Sequence, residues 1–244
     1  MKKWTIDNWP DKSWLPEEKN ETSRGIIYYT DNKLKWSIAK NCRRQLISIG
    51  LPIVSCSLKP SNIGTNIVFK GERGYKTMFG QILTALRAST ADIIYFGEHD
   101  VLYHPSHFDF VPKDRNTFYY NGNYWMVRSP DGFAVHYDIT SLSGLVAYRD
   151  ILIKHFEERL ELVEKQGFSY NIGFEPMTHG RIKWKNWYKF ENFQSKYPNI
   201  DIAHENNLTK KRWSQDKFIR KPKFWVEGTV DDIPGWENLR KLIQ

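Results

Sequence analysis

Apolar and polar positions along the first hundred residues switch between two periods. Gly25–Tyr29 (GIIYY) is a continuous apolar run closed by Thr30-Asp31-Asn32, the pattern of a strand buried on both faces. Trp36–Ile49 has a helix-compatible apolar spacing, and Gly50 is placed to stop it. Pro52–Ser57 predicts a second short strand and Asn66–Lys70 a third. Tyr75, Met78, Phe79, Ile82, Leu83 and Leu86 then hold the i, i+3, i+4, i+7 spacing of the clearest amphipathic helix in the chain. Asp92–Gly97 returns to strand and delivers Glu98-His99-Asp100. This alternation implies a parallel sheet with helices on its faces, and such sheets bind ligands beyond the carboxyl ends of their strands. Thr30-Asp31-Asn32 and Glu98-His99-Asp100 both lie at such ends and are expected to converge on one crevice.

The second half reads differently. Phe118–Asn121, Tyr124–Arg128 and Phe133–Tyr137 predict short strands in a meander. Arg149–Lys165 predicts a helix with Leu152, Ile153, Phe156, Leu160 and Val163 inward, stopped by Gly167. The remainder is loop-rich, with a short strand near Asn199–Ala203. Residues 1–24 are polar and Trp-dotted and read as an arm. No Pro/Gly linker separates the halves, so the expectation is one domain of two lobes, residues 25–117 and 118–244.

Composition narrows the class. The 244 residues are 40% hydrophobic and 26% charged, as in ordinary globular proteins, and no apolar run is long enough to span a bilayer. The start, MKKWTIDNWPDKSW, lacks the apolar core of a signal peptide. Cys42 and Cys56 sit in no metal or redox motif, so a reducing, cytoplasmic setting is the expectation. The net charge of +8 is unevenly placed: between Arg181 and Lys223 stand twelve Lys/Arg against four acids, an excess equal to that of the whole chain. Eight aromatic residues interleave with these cations, which suits a polyanion carrying bases; a plain solvated basic face is the competing reading.

The chemistry centres on Glu98-His99-Asp100. A buried strand normally excludes acids, because an unpaired buried carboxylate is costly to desolvate. Two acids where such a strand ends suit Mg²⁺ or Mn²⁺, which take oxygen ligands and keep positions free for phosphate oxygens. His204, after the apolar Ile200–Ala203, is a neutral imidazole available to a Mn²⁺ site. Lys210, Lys211 and Arg212 are placed to neutralise a diphosphate leaving group. Gly71-Glu72-Arg73-Gly74, before the strong helix, is a weaker phosphate candidate. His99, His104 and His107, with Asp100 and Asp109, raise a zinc hydrolase site, but their order matches no familiar zinc spacing.

Strand, TDN turn, helix, strand, Gly-containing turn, amphipathic helix and an apolar strand ending in an acidic triplet together resemble the nucleotide-sugar half of a GT-A glycosyltransferase of the family-2-like group. The triplet there is usually D-x-D; Glu98-His99-Asp100 keeps both carboxylates. Leu142–Arg149 (LSGLVAYR) resembles the acceptor-side loop leading into a helix, and His204 matches a late metal-binding histidine. The resemblance covers roughly residues 25–215. It implies an α/β fold with a Rossmann-type mixed sheet flanked by helices and a loop-rich acceptor-side C-terminal lobe. It also implies hexosyl or pentosyl transfer from a nucleoside diphosphate sugar, a UDP-sugar being favoured. Thr30 and Asp31 would contact the nucleoside, with Arg73 and Lys76 near it. Asp100, supported by Glu98 and completed by His204, would hold Mn²⁺ or Mg²⁺, and Lys211 and Arg212 would face the diphosphate. An inverting enzyme also needs a carboxylate base, for which Glu175 and then Asp138 are the candidates; a retaining one does not.

The acceptor is open. The basic aromatic segment favours a nucleic acid, such as the hydroxymethylated DNA bases that phage-type enzymes glycosylate in the host cytoplasm, while a saccharide or protein remains an alternative. A sugar-1-phosphate nucleotidyltransferase would carry a Gly-rich, Arg-containing signature after the first strand, which TDNKLKW does not supply. In a non-catalytic nucleic-acid-binding protein the basic segment alone would act, with salt-sensitive binding and no turnover.

Overall fold

Continuous apolar runs need cover on both faces, and the central strands receive it. In the computed structural model, which describes residues 22–180, 182–209 and 211–244, β1 (Arg24–Thr30) is buried from Gly25 onward. It lies between β2 (Ile53–Ser57) and β4 (Ile93–Glu98), parallel to both. β3 (Thr65–Val68) adds to β2, again parallel. Helix α1 (Trp36–Ile47) connects β1 to β2, and α2 (Tyr75–Ala88) connects β3 to β4. The parallel sheet expected of the first hundred residues is present. The bulk of the sequence arm, residues 1–21, lies outside the described residues, as do Arg181 and Lys210.

The sheet continues with strands from the second half. β9 (Leu145–Tyr148) runs antiparallel to β4, β6 (Thr117–Asn121) antiparallel to β9, and β10 (Lys189–Phe193) parallel to β6. Seven strands in the order β10-β6-β9-β4-β1-β2-β3 make a mixed sheet. Of the stretch likened to a loop before a helix, Leu142–Gly144 is a short 3-10 turn and Leu145–Tyr148 is a strand, followed directly by α3 (Arg149–Gln166). Its four residues are all buried, and a run that short carries no periodicity to announce it.

A second sheet has the order β12-β8-β7-β11-β5, made of β5 (Val101–Leu102), β7 (Tyr124–Arg128), β8 (Phe133–His136), β11 (Asn199–Ala203) and β12 (Val226–Thr229). The expected meander is thus divided: β7 and β8 form a hairpin here, while β6 belongs to the first sheet. The division falls at Asn121, which is fully buried. Its Oδ1 accepts from the Asn123 and Ser195 backbone N–H groups, and its Nδ2 donates to Ser195 Oγ. These bonds turn the chain out of one sheet and into the other. The mixed α/β architecture is two sheets flanked by helices. No described helix is long and apolar enough to cross a membrane.

The largest apolar cluster lies between the first sheet and α2 and α3. Phe79, fully buried, sets its ring 6.2 Å from that of Phe156 and 6.4 Å from that of Phe174. Phe174 precedes Glu175, so this cluster also supports the chain that carries that acid. Phe79→Ala is expected to lower stability by about 3–5 kcal/mol, the usual cost of emptying an aromatic-sized space. Urea unfolding should show the loss as a lower midpoint at unchanged slope; a shift below about 1 kcal/mol would mean the helix layer closes over the space.

Candidate active site

The chain crosses from one sheet to the other at Glu98-His99-Asp100, between β4 and β5. Because Val101 and Leu102 pair antiparallel with Asp201 and Ile200, the triplet lies beside the end of β11 and the His204 that comes after it. Ile202 N–H donates to the Asp100 carbonyl at 2.8 Å and fixes this juxtaposition. Asp100 is 7% exposed. Its Oδ2 accepts from Asn207 Nδ2 at 2.8 Å and lies 3.4 Å from His204 Nε2. Burial alone would raise its carboxyl, but His99, His204 and the Lys211 ammonium hold it well below the usual range.

His99, Asp100 and His204 each offer one ligand atom, and these atoms lie within 4.8 Å of one another. His204 Nε2 is buried, and 3.4 Å is long for a hydrogen bond, so that nitrogen lacks a hydrogen-bond partner. An orphaned buried nitrogen beside an ionised carboxylate fits a cation. Two imidazoles and a carboxylate suit Mn²⁺, or another imidazole-accepting divalent ion, better than Mg²⁺. His204 Nδ1 accepts from the Asn206 backbone N–H at 3.2 Å. Ligation through Nε2 would leave Nδ1 protonated, so a cation held there displaces that contact.

Glu98 is not one of the three. It sits opposite Tyr29 in the β1–β4 register, and the Tyr29 hydroxyl donates to its Oε1. Burial, reinforced by the Asp100 charge, pushes its carboxyl up to about 8. Residues two apart on an extended chain share a face, but the chain turns at His99-Asp100, so Glu98 meets Tyr29 of β1 while Asp100 meets Asn207 and His204 beyond β11.

At the end of β1, Thr30 is buried; its Oγ1 accepts from Asn32 N–H, and its carbonyl accepts from Gln81 Nε2 at 2.9 Å. Asp31 Oδ2 pairs with Arg73 Nε at 2.5 Å, and its Oδ1 is 4.0 Å from His99 Nε2. Burial would raise the Asp31 carboxyl, but Arg73 and His99 hold it below the usual range. Thr30, Asp31, Arg73, Glu98, Asp100, Glu175 and Lys211 all line one cavity of about 150 Å³. The crevice expected from the two strand ends exists. The loop after β11 roofs it: Arg73 donates to the Asn206 carbonyl, Asn206 Nδ2 to the Lys33 carbonyl and Tyr75 Oη to the Leu208 carbonyl.

Lys211 forms an ion pair with Asp201, and the carboxylates of Asp201 and Asp100 raise its ammonium against the pull of burial, so it stays charged. Burial raises the Glu175 carboxyl. Three expected residues lie elsewhere. Lys76 points off α2 to pair with Glu164 of α3 at 3.2 Å. Arg212, one residue past Lys211, is exposed and stacks over the Phe218 ring. Asp138 is exposed and accepts from Lys223 N–H at 2.6 Å, tying together two backbone segments. The zinc alternative also separates: His107 is buried against Asn121, with burial pushing its imidazole down to about 3, and His104 caps the turn at Ser106.

Sequence reasoning passed over Tyr29, Gln81, Asn207 and Asp201, and set His99 aside. For Asp201 the signal was present, since it is an acid inside the apolar NIDIA run, the same anomaly that marked the triplet. For Tyr29 and Gln81 there was none, because apolar-face tyrosines and helix glutamines are ordinary.

No protein-family model matches the chain, and no curated protein matches it. Among solved structures, the chain is similar to a glycosyltransferase involved in the glycosylation of the major capsid of PBCV-1. Identity is 10% over 70% of this chain and 82% of that one, with a TM-score of 0.42. It is also similar to the apo-form glycosyltransferase GlyE of Streptococcus pneumoniae TIGR4, at 12% identity over 70% of this chain and 45% of that one, with a TM-score of 0.36. Both likenesses are of fold alone.

The raised Glu98 carboxyl gives stability a pH slope. Its folded value of about 8 exceeds the ordinary 4.5, so the folded state binds the proton more tightly. The resulting stabilisation is complete below pH 4.5 and is lost as pH rises through about 8. With chelator present, Glu98→Gln should flatten the fall in urea midpoint across that window and make the variant the more stable protein above it. Parallel wild-type and variant profiles would show that Glu98 is ionised throughout.

Proposed function

We propose that this chain is a metal-dependent glycosyltransferase of the GT-A type, moving a hexosyl or pentosyl group from a nucleoside diphosphate sugar to an acceptor hydroxyl. One observation carries the reading: an Asp31–Arg73 pair, His99, Asp100 and Lys211 line one cavity, and His204 stands within ligand reach of His99 and Asp100 beside it. Chemistry of this kind needs a nucleoside contact, a seat for a divalent cation and positive charge at the leaving group, all within the reach of one ligand.

Thr30 and Asp31 serve the nucleoside, Asp31 as an ionised acceptor held by Arg73. His99, Asp100 and His204 would hold a divalent cation, which would supply Lewis-acid neutralisation of diphosphate charge. Lys211 adds a fixed positive charge on the same side. In transfer the bond from the anomeric carbon to the phosphate oxygen breaks, leaving its electron pair on the diphosphate. The acceptor oxygen bonds to that carbon, and its proton passes to Glu175. A carboxyl raised by burial is better matched to taking a proton near neutral pH than an exposed one. A nucleotide sugar exceeds about 150 Å³, so the roof from Asn206 to Leu208 lifts for it to bind. We favour a UDP-sugar as donor and a hydroxymethylated base in DNA as acceptor; the basic, aromatic C-terminal segment supports the latter.

A thermal-shift panel of UDP-, GDP- and ADP-sugars with Mn²⁺ or chelator tests the donor side. A ligand at a hundredfold excess over its Kd stabilises by about 2.7 kcal/mol, which raises Tm by several degrees in a chain of this size. The shift should need Mn²⁺ and vanish in Asp100→Asn, together with nearly all transfer. If no nucleotide sugar stabilises the protein with any metal, the reading falls.

A further inference from the structure

The donor cavity is not the largest recess beside His204. Across the turn at Asn206 and Asn207 lies a groove of about 1100 Å³. Lys33 and Lys35, between β1 and α1, line it together with Arg128, at the end of β7, and Trp213. His204 and Lys211 line it where it meets the donor cavity, which shares Asn206, Asn207, Thr209 and Lys211 with it.

The groove's charge and its aromatic wall point to one ligand chemistry. Lys33 and Lys35 are exposed, and neither forms an ion pair with a described residue. The acidic side chain on the lining is Glu205, against the cations of Lys33, Lys35, Arg128 and Lys211. Arg128 pairs with Asp131 and lies over the Trp213 ring at 5.4 Å, giving a cation-backed aromatic face. Spaced cations sharing one lining with a flat ring match alternating phosphates and bases. An acidic peptide would use the cations and leave the ring without a partner; a neutral saccharide would use the ring and leave the cations.

We infer that this groove binds a single nucleic-acid strand, its phosphates along Lys33, Lys35 and Arg128 and a base against Trp213. Delivery from groove to donor cavity rests on the proposed function: a base of the bound strand, already unpaired, swings across the Asn206–Asn207 turn to reach the sugar. Strand binding itself needs no donor. Among the described cations between Arg181 and Lys223, Lys211 lines this groove, and the early lysines Lys33 and Lys35 add cations from outside the basic segment that composition marks.

The test is fluorescence anisotropy of a labelled single-stranded 12-mer DNA, titrated at several salt concentrations. Lys33→Ala/Lys35→Ala should weaken binding about tenfold at low salt and flatten the log–log salt slope by about 1.4, the value for two phosphate contacts on a single strand. Lys154→Ala, which removes an exposed cation from α3, should stay within twofold of wild type. Stabilisation by Mn²⁺ and a nucleotide sugar should be unchanged in the double variant. Wild-type protein that fails to bind the oligonucleotide, or a double variant that binds it equally well, overturns the inference. So does equal competition by polyglutamate, which would mark a general polyanion surface. Loss of nucleotide-sugar binding with strand binding intact would sink the transferase reading and leave the groove standing.

Discussion

Everything at the site depends on the short antiparallel pairing of β5 with β11. Two residues of β5 are enough because the pairing is reinforced on both flanks, by Ile202 N–H to the Asp100 carbonyl and Asn207 Nδ2 to the Asp100 carboxylate before it and by His104 N–H to Asn199 Oδ1 after it. It joins two segments about a hundred positions apart in sequence. The first is an acidic strand end from the parallel sheet; the second is the strand that delivers His204. A one-residue slip would exchange the faces of β11 and carry Asp201 away from Lys211. The register of a two-residue strand therefore decides whether His99, Asp100 and His204 meet.

That junction concentrates charge in a place where charge is costly. Glu98, Asp100 and Asp201 approach one another with Lys211 as the ammonium among them. The groups divide the burden unequally: Asp100 is held ionised by its cationic and imidazole neighbours, while burial and the Asp100 charge favour the protonated form of Glu98. Such division between adjacent carboxyls is what low dielectric imposes when positive charge is short. A divalent ion at the two imidazoles and Asp100 would add the missing charge. Site and instability thus have one origin.

Much of the parallel sheet was legible because both of its signals are local. An apolar run such as Gly25–Tyr29 declares burial, and the spacing from Tyr75 to Leu86 declares a helix face; the observed α2 keeps Phe79, Ile82, Leu83 and Leu86 inside. Strand ends follow from these elements, so Asp31 and Asp100 could be named together. What stayed hidden was decided at a distance. Nothing in Phe118–Asn121 tells it to join a different sheet from Tyr124–Arg128, because the instruction is a buried Asn121 bonded to Ser195. Lys76 and Lys211 look alike as cations near anomalous sequence; only the packing sends one to Glu164 on the surface and the other to a buried Asp201.

The stitched roof over the cavity has a consequence for tempo. Arg73, Tyr75 and the Lys33 carbonyl hold Asn206 and Leu208 down. For an enzyme of the proposed kind, the apparent donor affinity is then the intrinsic one scaled by the small open fraction. The same latch shuts behind whatever has entered. A spent nucleoside diphosphate must wait for the roof to lift, so departure rather than bond-making would set the turnover rate. Water is kept out over the same interval, which guards an activated sugar against hydrolysis until an acceptor arrives.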